Sequence, residues 1–494
     1  MTAADILDPE FNSPQRKSNV VVAVFNLTAS IMGGGLLSIP YAFSKSGILL
    51  GSLLMVVAAI ITERSLYLLC LCSRLTGATT YGEVGEAAFG KSMEYFISFT
   101  LGIYLMFAIT GYMVLVKDIW TSLVDIIGNM NEENPPNGEL VLGIIIILIT
   151  PFLVQKSLYA LRFNCYISFT SVSILCLALI HQAWTSTAST TSSVMLWLNS
   201  DVLWWSSNFE DVLIAFPIIS LSFAGIYNVL PIQNSLKNPT RSRILLAVDG
   251  SILSCFVVTQ LFGLAGYLYA GKQTDGNILN NCDPAHDLFL LLGQFCCGIT
   301  VILAMPMLLL PCRTSLLEVL DVLVNGEHKT PVEIEEAENL PLIIADLKST
   351  RNNNYNSTNS TTPTDGQNQQ QQQNNNQENK HNCPKNTMRR SKTHIIDNTY
   401  VHYTSTLLIF VVCYVFAVHV PGVAVVWSIL GCSMGFLISF ILPCVCYLKI
   451  QKRYPSHTLK SNAWVWFSWI LLVNSSIAMV ACTTETIKRL MEHK

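Results

Sequence analysis

Charged side chains are scarce in this chain of 494 residues. They make up 12% of it, against 51% for apolar residues, whereas an ordinary soluble domain carries roughly 25% charged residues. So few charges cannot cover a water-facing surface of this size, which excludes a soluble globular protein. The net charge of −3 is too small to indicate nucleic acid or any other charged partner.

The sequence motifs of enzymes are also missing. No metal-binding His/Glu cluster, nucleophile elbow or phosphate-binding glycine loop occurs in a suitable context, so we expect no enzymatic activity, metal site or bound cofactor. Of the 15 cysteines, only Cys282 falls clearly in a predicted outer loop, which argues against a disulfide framework. Residues 1–19 are polar and show no cleavable signal, so we expect a cytosolic N-terminal tail.

Long apolar runs are abundant. All but the short fourth run reach the roughly 20 residues needed to cross a bilayer. We predict eleven transmembrane helices, at 20–44, 48–73, 93–121, 139–155, 163–184, 210–233, 243–271, 286–312, 400–419, 422–448 and 463–483. With the N-terminus in the cytosol, 23 of the 29 Lys and Arg residues lie on the inner side, as the positive-inside rule requires. The sequence therefore predicts an all-α polytopic membrane protein.

The longest inner loop, residues 318–398, has a biased composition. Its tract 352–379 consists mainly of Asn and Gln and has too little apolar surface to offset chain entropy, so we expect a disordered cytosolic loop. The sequons at Asn356 and Asn359 would then face the cytosol and stay unglycosylated. The segment Glu338–Ile343 has the spacing of a sorting address for endosomes and lysosomes that an adaptor reads.

Two spans, five apart along the chain, are interrupted near their middle. Span 1 contains three consecutive glycines, Gly33–Gly35, which are poor helix formers with a free backbone. Span 6 has Pro217 and Pro231 on either side of a small, polar patch at 222–225. Unpaired backbone groups at membrane depth are tolerated only where they line a cavity or meet a ligand. Paired interruptions of this kind indicate a transporter binding site.

The positions of the two breaks also predict the architecture. They fit two five-helix repeats of inverted topology, residues 20–184 and 210–448, with the helix at 463–483 as an addition. Glycines in membrane helices can also serve only close helix packing, but a triple glycine with a second break five spans later favours a site. Half-helix N-termini would direct N–H groups at a carboxylate, and freed carbonyls would hold an ammonium group or a cation. Such a site suits a zwitterion.

At these residues the sequence resembles a known family. Phe25–Thr28 followed by Gly33–Phe43 resembles the first-span signature of the amino acid/auxin permease family, as in its sodium-coupled neutral and its vacuolar amino acid transporters. Further matches follow in order, in the loop after span 2 and near the ends of spans 6, 7 and 8, at Thr79–Gly90, Asn228–Thr240, Gly266–Tyr269, Gly276–Leu279 and Pro311–Leu316. The resemblance implies secondary active transport of amino acids by a fold of the leucine-transporter type.

The resemblance also implies roles for particular residues. Span 1 would offer amides and a hydroxyl to the substrate carboxylate, span 6 carbonyls would receive the ammonium group, Phe223 would wall the side-chain pocket, and Tyr112 would reach the site from span 3. The candidate substrate-binding residues are Ser30, Gly33, Gly34, Gly35, Tyr112, Ser222, Phe223, Ala224 and Gly225. No charged side chain lies at either break, which favours neutral amino acids.

The coupling ion is left open between a proton and sodium. The sodium-coupled branch has an Asn in span 1 and a Thr in span 8, where this chain has Ala29 and Ile302 or Ala304, so two oxygen ligands are missing. Thr300 is the nearby candidate for a cation ligand. Asp249, about two turns into span 7, is the candidate for proton coupling, because intramembrane acids are commonly functional.

Other interpretations stay open. Asp249 could instead be an interfacial residue held by Arg241 or Arg243, and we expect Glu63 and Arg64 at the cytosolic end of span 2. A nutrient sensor that keeps the transporter fold is the main alternative to a transporter. The host membrane is either the plasma membrane or an endolysosomal or vacuolar membrane.

Overall fold

The computed structural model describes residues 16–128, 136–153, 164–188, 202–282, 287–325, 399–453 and 462–492. Over these ranges the chain is helical, and its single β contact is a parallel bridge between Ser18 and Leu236. The Asn/Gln tract, both sequons, the Glu338–Ile343 motif and the first fifteen residues lie outside the described ranges. Residues 320–398 separate as a unit of their own, of which 320–325 are the end of a helix.

The N-terminal half contains seven helices among its described residues. In chain order they are α1 (Val20–Ile31), α2 (Ile39–Ser46), α3 (Ile48–Thr76), α4 (Tyr81–Phe89), α5 (Lys91–Gly128), α6 (Gly138–Leu153) and α7 (Asn164–Ala188). The first two form one bent span, in which Val20–Ile31 and Gly34–Ser46 meet at an angle of 51°. They correspond to the predicted span 1, and α3, α5, α6 and α7 correspond to spans 2 to 5.

The C-terminal half contains eight helices over the described ranges. They are α8 (Phe209–Leu221), α9 (Ile226–Ser235), α10 (Arg241–Ala270), α11 (Leu288–Asn325), α12 (Thr399–His419), α13 (Val423–Leu430), α14 (Leu442–Arg453) and α15 (Asn462–Glu492). The pair α8 and α9 forms span 6, and α13 and α14 form span 10 through wider, π-type turns at 431–435 and 437–441.

The predicted all-α membrane fold is confirmed. Nine helical stretches in the described ranges are long and apolar enough to cross a bilayer, the bent span 1 makes a tenth, and the shorter apolar helix Gly138–Pro151 falls at span 4. Large apolar side chains point outward on these helices, among them Ile147 (73% exposed), Leu408 (65%) and Ile477 (63%). Such surfaces are stable only against lipid hydrocarbon, so this is a multi-pass membrane protein.

The segment after span 2 is a helix, although the sequence indicated a loop there. Thr80 caps α4 by accepting a hydrogen bond from the Glu83 amide (3.2 Å), and the Glu83 carboxylate accepts one from the Thr79 amide (2.7 Å). This reciprocal pair satisfies N–H groups that the first turn leaves free. Gly90 ends the helix with φ of +95°, a value that glycine adopts at little cost.

The thirteen described cysteines are all free. Cys282 lies in the loop after α10 and is buried. Burial raises the pKa of its thiol to about 12, so the group is protonated and weakly reactive at neutral pH.

Candidate functional site

The break in span 1 lies at Met32 and Gly33. The Met32 amide donates to the Thr28 carbonyl (2.8 Å), but the next amide, that of Gly33, turns back to the Ile31 carbonyl (2.8 Å). In a regular helix the Gly33 amide would donate to the Ala29 carbonyl. Because it does not, the Ala29 carbonyl loses its helical hydrogen-bond donor. A short 3₁₀ turn, Gly34–Ser38, then leads into α2.

The break in span 6 lies between α8 and α9. The amides of Phe223 and Ala224 tighten the end of α8 by donating to the carbonyls of Ser220 (3.2 Å) and Leu221 (3.0 Å). In the described part of the chain, the amides of Gly225 and Ile226 donate no hydrogen bond. The N-terminus of α9 therefore keeps free donors at the break, where the helix dipole favours negative charge.

The two breaks touch each other. A β-carbon built on Gly35 would lie 3.5 Å from the Ser222 Cα, and one built on Gly225 would lie 2.6 Å from the Ile31 Cγ1. The distance at Gly35 is an ordinary van der Waals contact, whereas a side chain at Gly225 would force Ile31 to move. Gly225 is therefore needed here for the close approach of the two interrupted spans.

Tyr112 reaches the first break from α5. Its hydroxyl accepts a hydrogen bond from the Gly34 amide (2.9 Å), and its ring meets the Trp427 ring edge-on, with centroids 6.0 Å apart. Trp427, on α13, has room for its ring because residue 111 is a glycine. A β-carbon there would lie only 2.5 Å from the ring. Span 3 and span 10 thus jointly hold one freed amide of span 1.

Two small cavities lie around these breaks. The larger measures ≈ 50 Å³ and the smaller ≈ 40 Å³, and one water molecule needs roughly 10–15 Å³. Both cavities are lined by Ser30, Gly33, Gly34, Tyr112, Tyr227 and Leu308. Among the described residues that line either one, none is Asp, Glu, Lys or Arg. The site is therefore an uncharged chamber with backbone dipoles at its wall.

Six of the nine predicted substrate-binding residues line a cavity and three do not. Ser30, Gly33, Gly34, Gly35, Tyr112 and Ala224 line one or both. Ser222 lies against Gly35, and its hydroxyl donates to the Ile219 carbonyl (2.7 Å). Phe223 is fully buried in the core, so it does not wall the described cavities as the resemblance implied.

Two residues next to the second break were not among the predicted site residues. The Tyr227 hydroxyl donates to the Ser30 carbonyl (3.1 Å), and the Asn228 Nδ2 donates to the Ser30 Oγ (3.0 Å). Both residues line the larger cavity. They stand in the first turn of the second half-helix, and no local sequence pattern indicates a contact from there across to span 1.

Thr300 lines the larger cavity, and its hydroxyl donates to the Cys296 carbonyl (3.0 Å). Its oxygen therefore keeps lone pairs free for a cation. Of the two span 8 positions compared in the sequence, Ala304 lines the cavity and Ile302 does not. Thr300 therefore supplies a hydroxyl group from α11 to the wall of this cavity.

Asp249 is remote from both cavities. The helices α10 and α3 are antiparallel and are joined where Gln260 Nε2 donates to Ser52 Oγ (2.7 Å). Asp249 precedes Gln260 by eleven residues, about three helical turns, and Glu63 follows Ser52 by the same number. Asp249 and Glu63 therefore lie at the same level. Asp249 is exposed there, and its side chain contacts the Glu63 carboxyl.

Glu63 is buried in the interior of α3 and pairs with Arg64 (2.8 Å). The helix α3 continues beyond these two residues to Thr76, close to the end of the predicted run 48–73, and their place at the cytosolic end of span 2 stays a prediction. The mutual pairing of the two charges lowers the cost of keeping them inside a membrane helix.

Known proteins resemble this chain over most of its length. The family model described as "Transmembrane amino acid transporter protein" matches residues 16–488. Vacuolar amino acid transporter 7 of Saccharomyces cerevisiae is 26% identical over 462 residues, which are 86% of this chain and 88% of that protein. Amino acid transporter AVT6E of Arabidopsis thaliana is 27% identical over 277 residues, 55% of this chain and 56% of that protein.

The fold also matches a solved structure. Mhp1, a nucleobase-cation-symport-1 family transporter in a closed conformation with bromovinylhydantoin bound, superposes with a TM-score of 0.52 at 10% identity, over 97% of this chain and 94% of its own. At this identity the likeness concerns the fold alone. It confirms the predicted leucine-transporter type of helix arrangement.

Proposed function

We propose, from the premise that this chain belongs to the transmembrane amino acid transporter family, that it is a secondary active transporter of neutral amino acids. Its membership confirms the resemblance seen in the sequence. The observation that carries the proposal is the uncharged chamber between two touching helix breaks, among whose described lining residues no acid or base occurs. A substrate with a charged side chain would need a buried counter-charge there.

The substrate carboxylate would bind at the amides of the glycine run. The Gly35 amide has no hydrogen-bond acceptor among the described residues, and the Gly34 amide would exchange the Tyr112 hydroxyl for the carboxylate. A charged acceptor makes the stronger bond to an N–H group. The ammonium group would then lie towards the Ala29 carbonyl, which has lost its helical partner at the end of α1.

Transport would proceed by alternating access and be driven by a proton or a sodium gradient. Thr300 is the proposed cation ligand, because its hydroxyl oxygen faces the same cavity. Asp249, exposed and away from the cavity, would act only through the α3–α10 contact. The relative in yeast is named a vacuolar transporter, so we propose a vacuolar or lysosomal membrane with the N-terminus in the cytosol.

Uptake by reconstituted vesicles tests this function. A proton gradient and a sodium gradient are imposed one at a time. We expect neutral amino acids to accumulate under the gradient of the coupling ion, and charged amino acids to stay outside. Gly34→Leu should abolish uptake, since even its β-carbon would lie 2.6 Å from Leu115 Cδ1 and 3.1 Å from the Trp427 ring. Gly422→Leu is the matched control, because nothing lies within 4 Å of a β-carbon there.

Two outcomes would contradict the proposal. Binding of amino acids without flux would indicate a sensor that keeps the transporter fold. Full uptake by Gly34→Leu would place the binding site elsewhere in the molecule.

A further inference from the structure

Ser30 connects the two broken spans through a directed hydrogen-bond chain. Its hydroxyl lies 2.8 Å from the Asn26 carbonyl and 3.0 Å from the Asn228 Nδ2. A carbonyl only accepts, so the single hydroxyl proton of Ser30 must go to Asn26. The Ser30 oxygen is thereby left as an acceptor, and it is not a free donor for a substrate carboxylate.

This chain fixes the orientation of the Asn228 side chain. Only a donor can bond to the remaining lone pair of Ser30, so the amide nitrogen of Asn228 must face it. The amide oxygen, Oδ1, then points away from Ser30. The two ends of the amide are distinguished by this chemistry without any need to observe hydrogens.

The Asn228 Oδ1 accepts no hydrogen bond from any residue that the structure describes. Asn228 is half-buried and lines the larger cavity. A ligand that displaces water from this oxygen without supplying a donor leaves it unpaired, which costs free energy, whereas a ligand that carries a donor avoids that cost. The occupant of this cavity is therefore favoured when it carries an N–H or O–H group on the side facing Asn228.

The rest of the cavity limits the size of that occupant. Its volume is only ≈ 50 Å³. The wall that α7 and α11 contribute is mostly apolar, with Leu175, Met307 and Leu308 among its residues, and Ser168 and Thr300 add two hydroxyl groups. The small volume favours a short side chain, and Asn228 provides a polar partner for it.

We propose that the Asn228 amide oxygen accepts a hydrogen bond from the substrate side chain, so that the protein selects small neutral amino acids with a side-chain hydroxyl or amide. The inference rests on the proposed transport of neutral amino acids and deepens it. Selection works because a site built around a polar partner rejects an analogue of the same shape that lacks the donor.

Uptake by the unmodified protein in vesicles gives the first test. Serine is compared with alanine, and asparagine with leucine, two pairs in which the second member lacks the donor. We expect each donor-bearing member to be taken up with an efficiency about tenfold higher. Equal uptake within both pairs would overturn the role of Asn228 and leave transport of neutral amino acids standing. No uptake of any amino acid would overturn both.

The second test replaces the amide by an apolar group of similar shape. Asn228→Leu should bring the serine-to-alanine ratio to about one, and a ratio measured within one preparation does not depend on the amount of folded protein. Asn474→Leu makes the same chemical change on α15, where Asn474 is exposed and, among the described residues, bonds only to the Ile470 carbonyl (2.8 Å). It should keep the unmodified ratio.

Measurements on the Asn228→Leu variant can also contradict the proposal. A full preference for serine in Asn228→Leu would show that the donor is recognised elsewhere. If Asn228→Leu transports nothing, the decision falls to the pairs measured on the unmodified protein, which need no variant.

Discussion

The hydroxyl of Tyr112 occupies the place that a β-carbon on Gly33 would take, and it accepts the hydrogen bond of the neighbouring Gly34 amide (2.9 Å). One tyrosine thus requires glycine at one position and satisfies the backbone at the next. This relationship joins the scaffold helix α5 to the break in span 1.

Gly33→Ala should therefore impair the protein through Tyr112. The added methyl group would overlap the tyrosine hydroxyl, so we expect uptake to fall by at least tenfold, in keeping with overpacking that costs roughly 1–3 kcal/mol. The double variant Gly33→Ala/Tyr112→Phe removes the overlapping oxygen and should recover part of the activity. Vesicle uptake by the two single variants and the double variant completes a double-mutant cycle. If the losses of uptake, expressed as free energies, are strictly additive, the two residues do not interact.

The chain before α1 is paired with the end of span 6. The Ser18 amide donates to the Ser235 carbonyl (2.9 Å), and the Lys237 amide donates to the Ser18 carbonyl (2.8 Å). Ser18→Pro removes the first donor, so the bridge should weaken by about 0.5–1.5 kcal/mol. Hydrogen exchange at the Lys237 amide should then accelerate up to about tenfold.

Ser18→Ala is the control for this bridge, because it keeps the backbone N–H and removes only the side-chain oxygen. It should exchange like the unmodified protein. Equal exchange in the proline variant would mean that the bridge does not hold this end of span 6.

Two ion pairs of nearly equal length join α15 to the start of α8 and differ in exposure. Arg489–Asp211 (2.8 Å) has side chains about one quarter exposed, at 26% and 25%, whereas Lys488–Glu210 (2.9 Å) has side chains at 47% and 49%. Solvent screens the more exposed pair more strongly. We expect a coupling energy of roughly 0.5–1 kcal/mol for Arg489–Asp211 and close to zero for Lys488–Glu210.

Thermal unfolding in detergent of Arg489→Gln, Asp211→Asn and their double variant measures the first coupling, with Lys488→Gln and Glu210→Gln as the matched set. Added salt should reduce the first coupling. Larger coupling in the Lys488 pair would show that exposure does not govern these contacts.

Thr300→Val tests the proposed cation ligand with a side chain of nearly the same shape. If the Thr300 oxygen binds the coupling cation, the variant should need about tenfold more of that cation for half-maximal uptake, since a ligand oxygen is lost. Ile302→Val, on the same helix but outside the cavity lining, should leave this requirement unchanged. An unaltered cation requirement in Thr300→Val would remove Thr300 from the coupling site.

The sequence alone determined where the chain crosses the membrane. Apolar runs at spans such as 48–73 and 400–419 are long, because each backbone group in lipid must be paired within its own helix. The run Gly33–Gly35 and the prolines around 222–225 located both breaks for the same local reason. Such features depend on neighbouring residues and are readable from the chain.

The tertiary structure decided which side chains meet at the breaks. Phe223 and Asn228 stand near the same interruption, yet one is buried in the core and the other faces the cavity. Glu63 is a carboxylate in an apolar run, yet it is buried in α3 and paired with Arg64. The orientation of a side chain depends on contacts between helices distant in sequence, such as Ser30 with Asn228. Hydrophobic periodicity and helix propensity carry no information about those contacts.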